Sequence, residues 1–144
     1  MPAMGLEVFD RTIHLTNEWL LEIMTDLGTN ERVHAWHALH AVTSTLRDRM
    51  PITEVAHLAA QLPLLVRGLF YEGWRPGAPA TYRTRKDFLN RVQDQLDGRA
   101  PVDAERACRA VFSALLRHVT PGELEDVRAV LPAELKALLE PVSA

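Results

Sequence analysis

Glu31, His34, His37 and His40 follow one another at spacings of three and are the first candidates for metal chemistry in this chain. Imidazole nitrogens and carboxylate oxygens are the usual ligands of borderline divalent ions. On a helix, residues three apart drift by about 60° per step, so neighbours can share an ion but His34, His37 and His40 cannot all converge on one. A second pattern is the pair of Glu-x-x-His steps, Glu31/His34 and Glu54/His57, a spacing that carboxylate-bridged di-iron bundles use on two facing helices. Here the two steps open successive helices, and antiparallel neighbours would hold those openings about 25 Å apart. Glu54 and Glu123 read instead as first-turn carboxylates facing a helix N-terminus. No glycine-framed serine, His-Glu-x-x-His or phosphate loop occurs, so no catalytic residue is assigned and no cofactor is expected. The chain should fold without metal. The basic run Arg83, Arg85, Lys86 and Arg91 with Tyr82 could touch phosphate, but Thr84 and Asp87 explain the same stretch as a helix start.

Composition narrows the classes further. The 144 residues carry 16 basic and 19 acidic side chains, a balance of −3 that gives no general attraction to nucleic acid or anionic lipid. Apolar residues make up 47% and charged residues 24%, the proportions of an ordinary globular chain of single-domain size. The stretch from Ala60 to Trp74 is strongly apolar, yet Pro63, Arg67, Gly68 and Glu72 interrupt it well short of the ~20 residues a membrane span needs. The first residues, Met1 to Glu7, lack the charged and apolar regions of a signal peptide, and the single Cys108 can form no internal disulfide. Both features lead us to expect a cytoplasmic protein.

The apolar stretch also supplies an anchor for internal similarity. Leu62-Pro63 recurs as Leu131-Pro132, an offset of 69 residues that holds without a gap. It pairs Glu54 with Glu123, Leu46 with Leu115, Ala41-Val42 with Ala110-Val111, Ala38 with Ala107, and Trp19-Leu20 with Phe88-Leu89. The spacing predicts one domain of two helical repeats, about 12–70 and 81–139, joined by a connector over about 71–80 and related by an approximate two-fold.

Apolar residues recur at three and four in both halves, so each is read as three to four helices with no strand. The first helix is expected from about Thr16, acting as cap, to Gly28, with Trp19, Leu20, Ile23 and Leu27 inward; its counterpart starts near Thr84 and stops at Gly98. The second, about Glu31 to Arg49, should bury Ala35, Ala38, Leu39, Val42 and Leu46, and its copy Ala104, Ala107, Cys108, Val111 and Leu115. Cys108 thus reads as a small core residue. Thr120-Pro121-Gly122-Glu123 is a strong helix start. Pro63 and Pro132 should each break a helix, leaving a short last helix that carries Leu64, Leu65 and Leu69 inward. Arg67 and Lys136, late in those helices, would complement the helix dipole.

The connector Tyr71 to Ala80 is dense in glycine and proline yet holds Tyr71 and Trp74. These aromatics are expected to pack across the junction of the halves, the alternative being a ligand platform or partner contact.

The stretches Leu46-Arg47-Asp48-Arg49-Met50-Pro51, Leu58-Ala59-Ala60-Gln61-Leu62-Pro63 and Arg67-Gly68-Leu69-Phe70-Tyr71-Glu72-Gly73-Trp74 resemble the bacterial Domain of Unknown Function 2267 family (DUF2267). The second half agrees through Pro121-Gly122-Glu123-Leu124 and Val130-Leu131-Pro132-Ala133-Glu134-Leu135. The resemblance covers about residues 15 to 140. It implies a cytoplasmic all-helical fold and carries over no catalytic residue. The histidines of the second helix depart from the basic or polar residues that the resemblance leads one to expect there.

The leading functional expectation is a non-catalytic interaction module that binds a protein partner or a second copy of itself. Its alternative is a small-molecule or metal-binding protein, an enzyme included, with a site at the junction near Tyr71, Trp74 and the histidines. A closed polar pocket at that junction would favour the alternative.

Overall fold

The computed structural model describes residues 5–78 and 80–140; residues 1–4 of the stretch read for a signal peptide, Pro79 of the connector and residues 141–144 lie outside the described residues. Within them the chain is all helical, with eight helices and no strand: α1 Glu7–Leu27, α2 Arg32–Asp48, α3 Ile52–Ala60, α4 Leu64–Tyr71, α5 Arg85–Leu96, α6 Ala104–His118, α7 Pro121–Ala129 and α8 Ala133–Leu138. Most boundaries have a local cause. Gly28 takes a left-handed φ of 73° that ends α1, and Thr84, Asp103 and Thr120 accept backbone N–H groups from Asp87, Arg106 and Glu123 to start α5, α6 and α7. Pro63 and Pro132 hold extended backbone, with ψ of 148° and 154°, and each breaks the chain between two short helices.

Three readings need correction. α1 starts at Glu7, not Thr16, because nothing between Gly5 and Thr16 interrupts the helix; Thr16 lies buried inside it. α1 therefore runs for 21 residues against 12 for α5. Leu64 and Leu65 point outward, 51% and 43% exposed, while Val66, Leu69 and Phe70 carry α4 into the core. With Pro63 as the cap, the inward face of this short helix begins two residues later than the apolar run suggests. Arg67 serves α3 rather than the end of its own helix: it donates to the carbonyls of Ala59 and Leu62 at the break before Pro63, where proline offers no N–H to the Ala59 carbonyl.

α2 and α6 form the centre. α2 touches α1, α4, α5 and α6, and α6 touches α1, α2, α5 and α8. Their buried faces are rich in alanine, with Ala35, Ala38 and Ala41 on one and Ala107, Ala110 and Ala114 on the other, and small side chains let two helices approach closely. Every residue predicted inward on these two helices, Cys108 included, is buried. Between the halves, α1 packs on α6 as α5 does on α2, and α3 packs on α7. Exchanging the halves leaves the pattern of helix pairs unchanged.

The connector is fastened at both ends by the last turn of α2. The guanidinium of Arg47, 4% exposed, donates from one nitrogen to the carbonyls of Phe70 and Glu72, each at 2.9 Å, and from the others to Asp48 at 2.8 and 2.7 Å. Asp48 in turn accepts the Ala80 N–H on its backbone oxygen. Arg49 donates to the Tyr82 carbonyl at 2.6 Å, and the Tyr82 hydroxyl donates to the Thr45 carbonyl at 2.7 Å.

Candidate functional site

The sequence directs attention first to Tyr71, Trp74 and the histidines of α2. Tyr71 and Trp74 are half-buried against the core, their rings 5.5 Å apart. Trp74 borders a small hollow of about 160 Å³, between Asp48 at the end of α2 and Arg75 of the connector. His34, His37 and His40 lie on α2 and are all half-buried, so this face is less solvated than a plain polar face would be. His34 Nδ1 sits 3.3 Å from the Thr29 hydroxyl. Burial lowers the pKa of His40, against the raising influence of the nearby Glu72. These histidines do not gather into a group of three or more ligand atoms among the described residues. Of the basic run, Arg85 pairs with Glu105 at 2.7 Å and the Arg91 guanidinium lies 4.3 Å above the Tyr82 ring, while Arg83 and Lys86 are exposed. Burial pushes the Cys108 thiol up to about 12, which keeps it protonated and unreactive.

Two features missed in the sequence are more suggestive. The first follows from α3 packing on α7. Glu54, His57 and Glu123 each place one ligand atom within 4.8 Å of the other two. Glu123 does not close the reciprocal capping contact that its position suggests. Thr120 caps the Glu123 N–H, but the Thr120 N–H is taken at 2.8 Å by the side-chain oxygen of Gln61 from the other half. Its carboxyl, in a residue 8% exposed, faces Glu54 instead. Glu31/His34 is not part of this cluster, as helix geometry required. The missed signal was the offset of 69 residues, which aligns Glu54 with Glu123 on α3 and α7, the two helices that cross.

Burial, then the hydrogen bond and charge of Glu54 and the charge of Asp126, push the Glu123 carboxyl up to about 8. A carboxyl with a raised folded-state pKa contributes stability that is fully present below its unfolded value of ~4.3 and is lost as pH rises through the folded value. In a chelating buffer, the denaturation midpoint should therefore fall between about pH 5 and pH 8.5. Glu123→Gln should flatten that slope and raise the midpoint at the alkaline end. Equal slopes for the two proteins in chemical denaturation would reject the paired carboxylates.

The second feature is an apolar groove of about 610 Å³ between the front of α1 and α4, lined by Phe9, Thr12, Trp36, Leu64, Leu65, Gly68, Leu69, Tyr71 and Glu72. Thr12 joins its walls by accepting the Leu65 N–H at 2.9 Å. Phe9, at 44%, adds to the exposure of Leu64 and Leu65, and Leu6, Val8 and Ile13 at and near the start of α1 are exposed as well. The groove exists because α1 extends beyond the length of α5, so the second half has no such wall.

No described helix is long and apolar enough to cross a membrane. Comparison with curated proteins finds no match. The family described as "Uncharacterized conserved protein (DUF2267)" matches residues 16–138, which include every helix after α1 and the core-facing part of α1 itself. That match spans most of the chain, and the protein belongs to the DUF2267 family.

Proposed function

We propose that this chain is a non-catalytic protein-interaction module, built from a duplicated helical unit, whose docking surface is the groove between α1 and α4. One observation carries the reading: three large apolar side chains, Phe9, Leu64 and Leu65, stand 43–51% exposed around a single concave surface. Contiguous exposed apolar surface of this kind marks interaction sites in folded proteins. A groove floored by Trp36, Gly68 and Leu69 suits an amphipathic helix laid along it with anchors at i, i+3 or i+4, and i+7. Glu72 is the one charged residue of the lining, so a lysine or arginine beside those anchors complements it.

Selection of a displayed helical peptide library on the wild-type protein tests this directly. Enriched peptides should share the apolar spacing and a flanking base, and Leu65→Asp should weaken their binding by at least about tenfold. Because Leu65 is exposed, the same substitution should change stability by no more than ~0.5 kcal/mol. Enriched peptides that bind the variant equally well would reject the groove. Concentration-dependent dimerisation abolished by Leu65→Asp would replace the foreign helix with a second copy of the chain.

A further inference from the structure

We infer that the crossing of α3 and α7 is a divalent-cation site, with Glu54, His57 and Glu123 as its ligands and a first-row ion such as zinc or manganese as its occupant. The three ligand atoms lie within 4.8 Å of one another. Bonds of 2.0–2.2 Å at tetrahedral angles set ligand atoms roughly 3.3–3.6 Å apart, so closure needs shifts of at most about an ångström, within reach of side-chain rotation. Glu54 and His57, three apart on α3, project from one face of the helix. His57 Nδ1 and Glu54 Oε2 are 3.8 Å apart, too far for a hydrogen bond and a suitable separation for two ligands of one ion.

The second observation is independent of that proximity. The Oε2 atoms of Glu54 and Glu123 are both closed to solvent and lack a hydrogen-bond donor, and Glu123 as a whole is more than nine-tenths buried. Two ionised carboxylates are acceptors only, so the pair needs either a shared proton or a cation between them. The nearest arginines in sequence do not supply the cation: Arg49 donates to the Tyr82 carbonyl and Arg128 to that of Leu139. A divalent ion neutralises the pair, and His57, with its side chain 67% exposed, completes the coordination from the solvent side and leaves room for water. One nitrogen and two carboxylates suit zinc, manganese or ferrous iron better than calcium, which takes six to eight oxygens.

Titration calorimetry of chelator-treated protein with zinc chloride tests the site, with manganese resonance spectra as a second readout. Wild type should bind one equivalent and gain about 5 °C or more in Tm at saturation. His57→Ala, at an exposed position, should keep the fold and lose at least about tenfold in affinity, as should Glu54→Gln and Glu123→Gln; His37→Ala should bind as wild type does. If Glu123→Gln fails to fold, His57→Ala and Glu54→Gln decide the matter. Absence of saturable binding, or equal binding by wild type and His57→Ala, would overturn the inference and leave the two carboxylates sharing a proton.

Discussion

Arg47→Ala should destabilise the protein by about 3–5 kcal/mol, a large fraction of the stability of a domain this size. The guanidinium is almost wholly buried, and the substitution strips hydrogen bonds from the carbonyls of Phe70 and Glu72. Buried acceptors left without donors cost about 1–3 kcal/mol each. Asp48 adds little to the loss, since its side chain is 40% exposed and water can replace its partner. Arg47→Lys should recover only part of the deficit, because an ammonium cannot span two carbonyls and a carboxylate as the planar fork does. Chemical denaturation of the three proteins checks this. An Arg47→Ala midpoint within error of wild type would show that the fastening of the connector is incidental to the fold.

Trp19→Ala should cost a similar amount, about 3–5 kcal/mol. The indole is 1% exposed, stacks on the His118 ring at a centroid distance of 4.8 Å, and stands on α1 where that helix packs against α6. Removing it empties a volume that the central helices cannot close. Trp74→Ala is the informative contrast. As an anchor of the junction, Trp74 would be expected from the sequence to cost about 3 kcal/mol on truncation. Its half-burial and its single ring contact with Tyr71 reduce that to about 1–2 kcal/mol. Denaturation midpoints should therefore fall much further for Trp19→Ala than for Trp74→Ala, and the reverse order would show that the connector rather than the α1–α6 contact dominates the core.

The sequence by itself determined where α2 and α5 to α8 lie, which residues of α2 and α6 point inward, and where two prolines interrupt the chain. These are consequences of local chemistry. A capping threonine, a left-handed glycine or an absent proline N–H acts within four residues, and the inward face of a long helix is set by its own period. The same locality misled at Thr16, whose capping chemistry is overruled by a preceding stretch able to continue the helix, and at Leu64 and Leu65, where a short apolar run leaves the rotation of the helix undetermined. The internal offset supplied equivalences between Glu54 and Glu123 but not their meeting. Only the tertiary structure decided that α3 crosses α7, that the Arg47 fork turns inward to hold the connector, and that the extension of α1 walls a groove with α4. The physical reason is that periodicity assigns each helix a face without saying which helix of the other half will cover it. That choice depends on volumes and angles contributed by residues some seventy positions apart, and the carboxylates, the arginine and the exposed leucines take their roles from it.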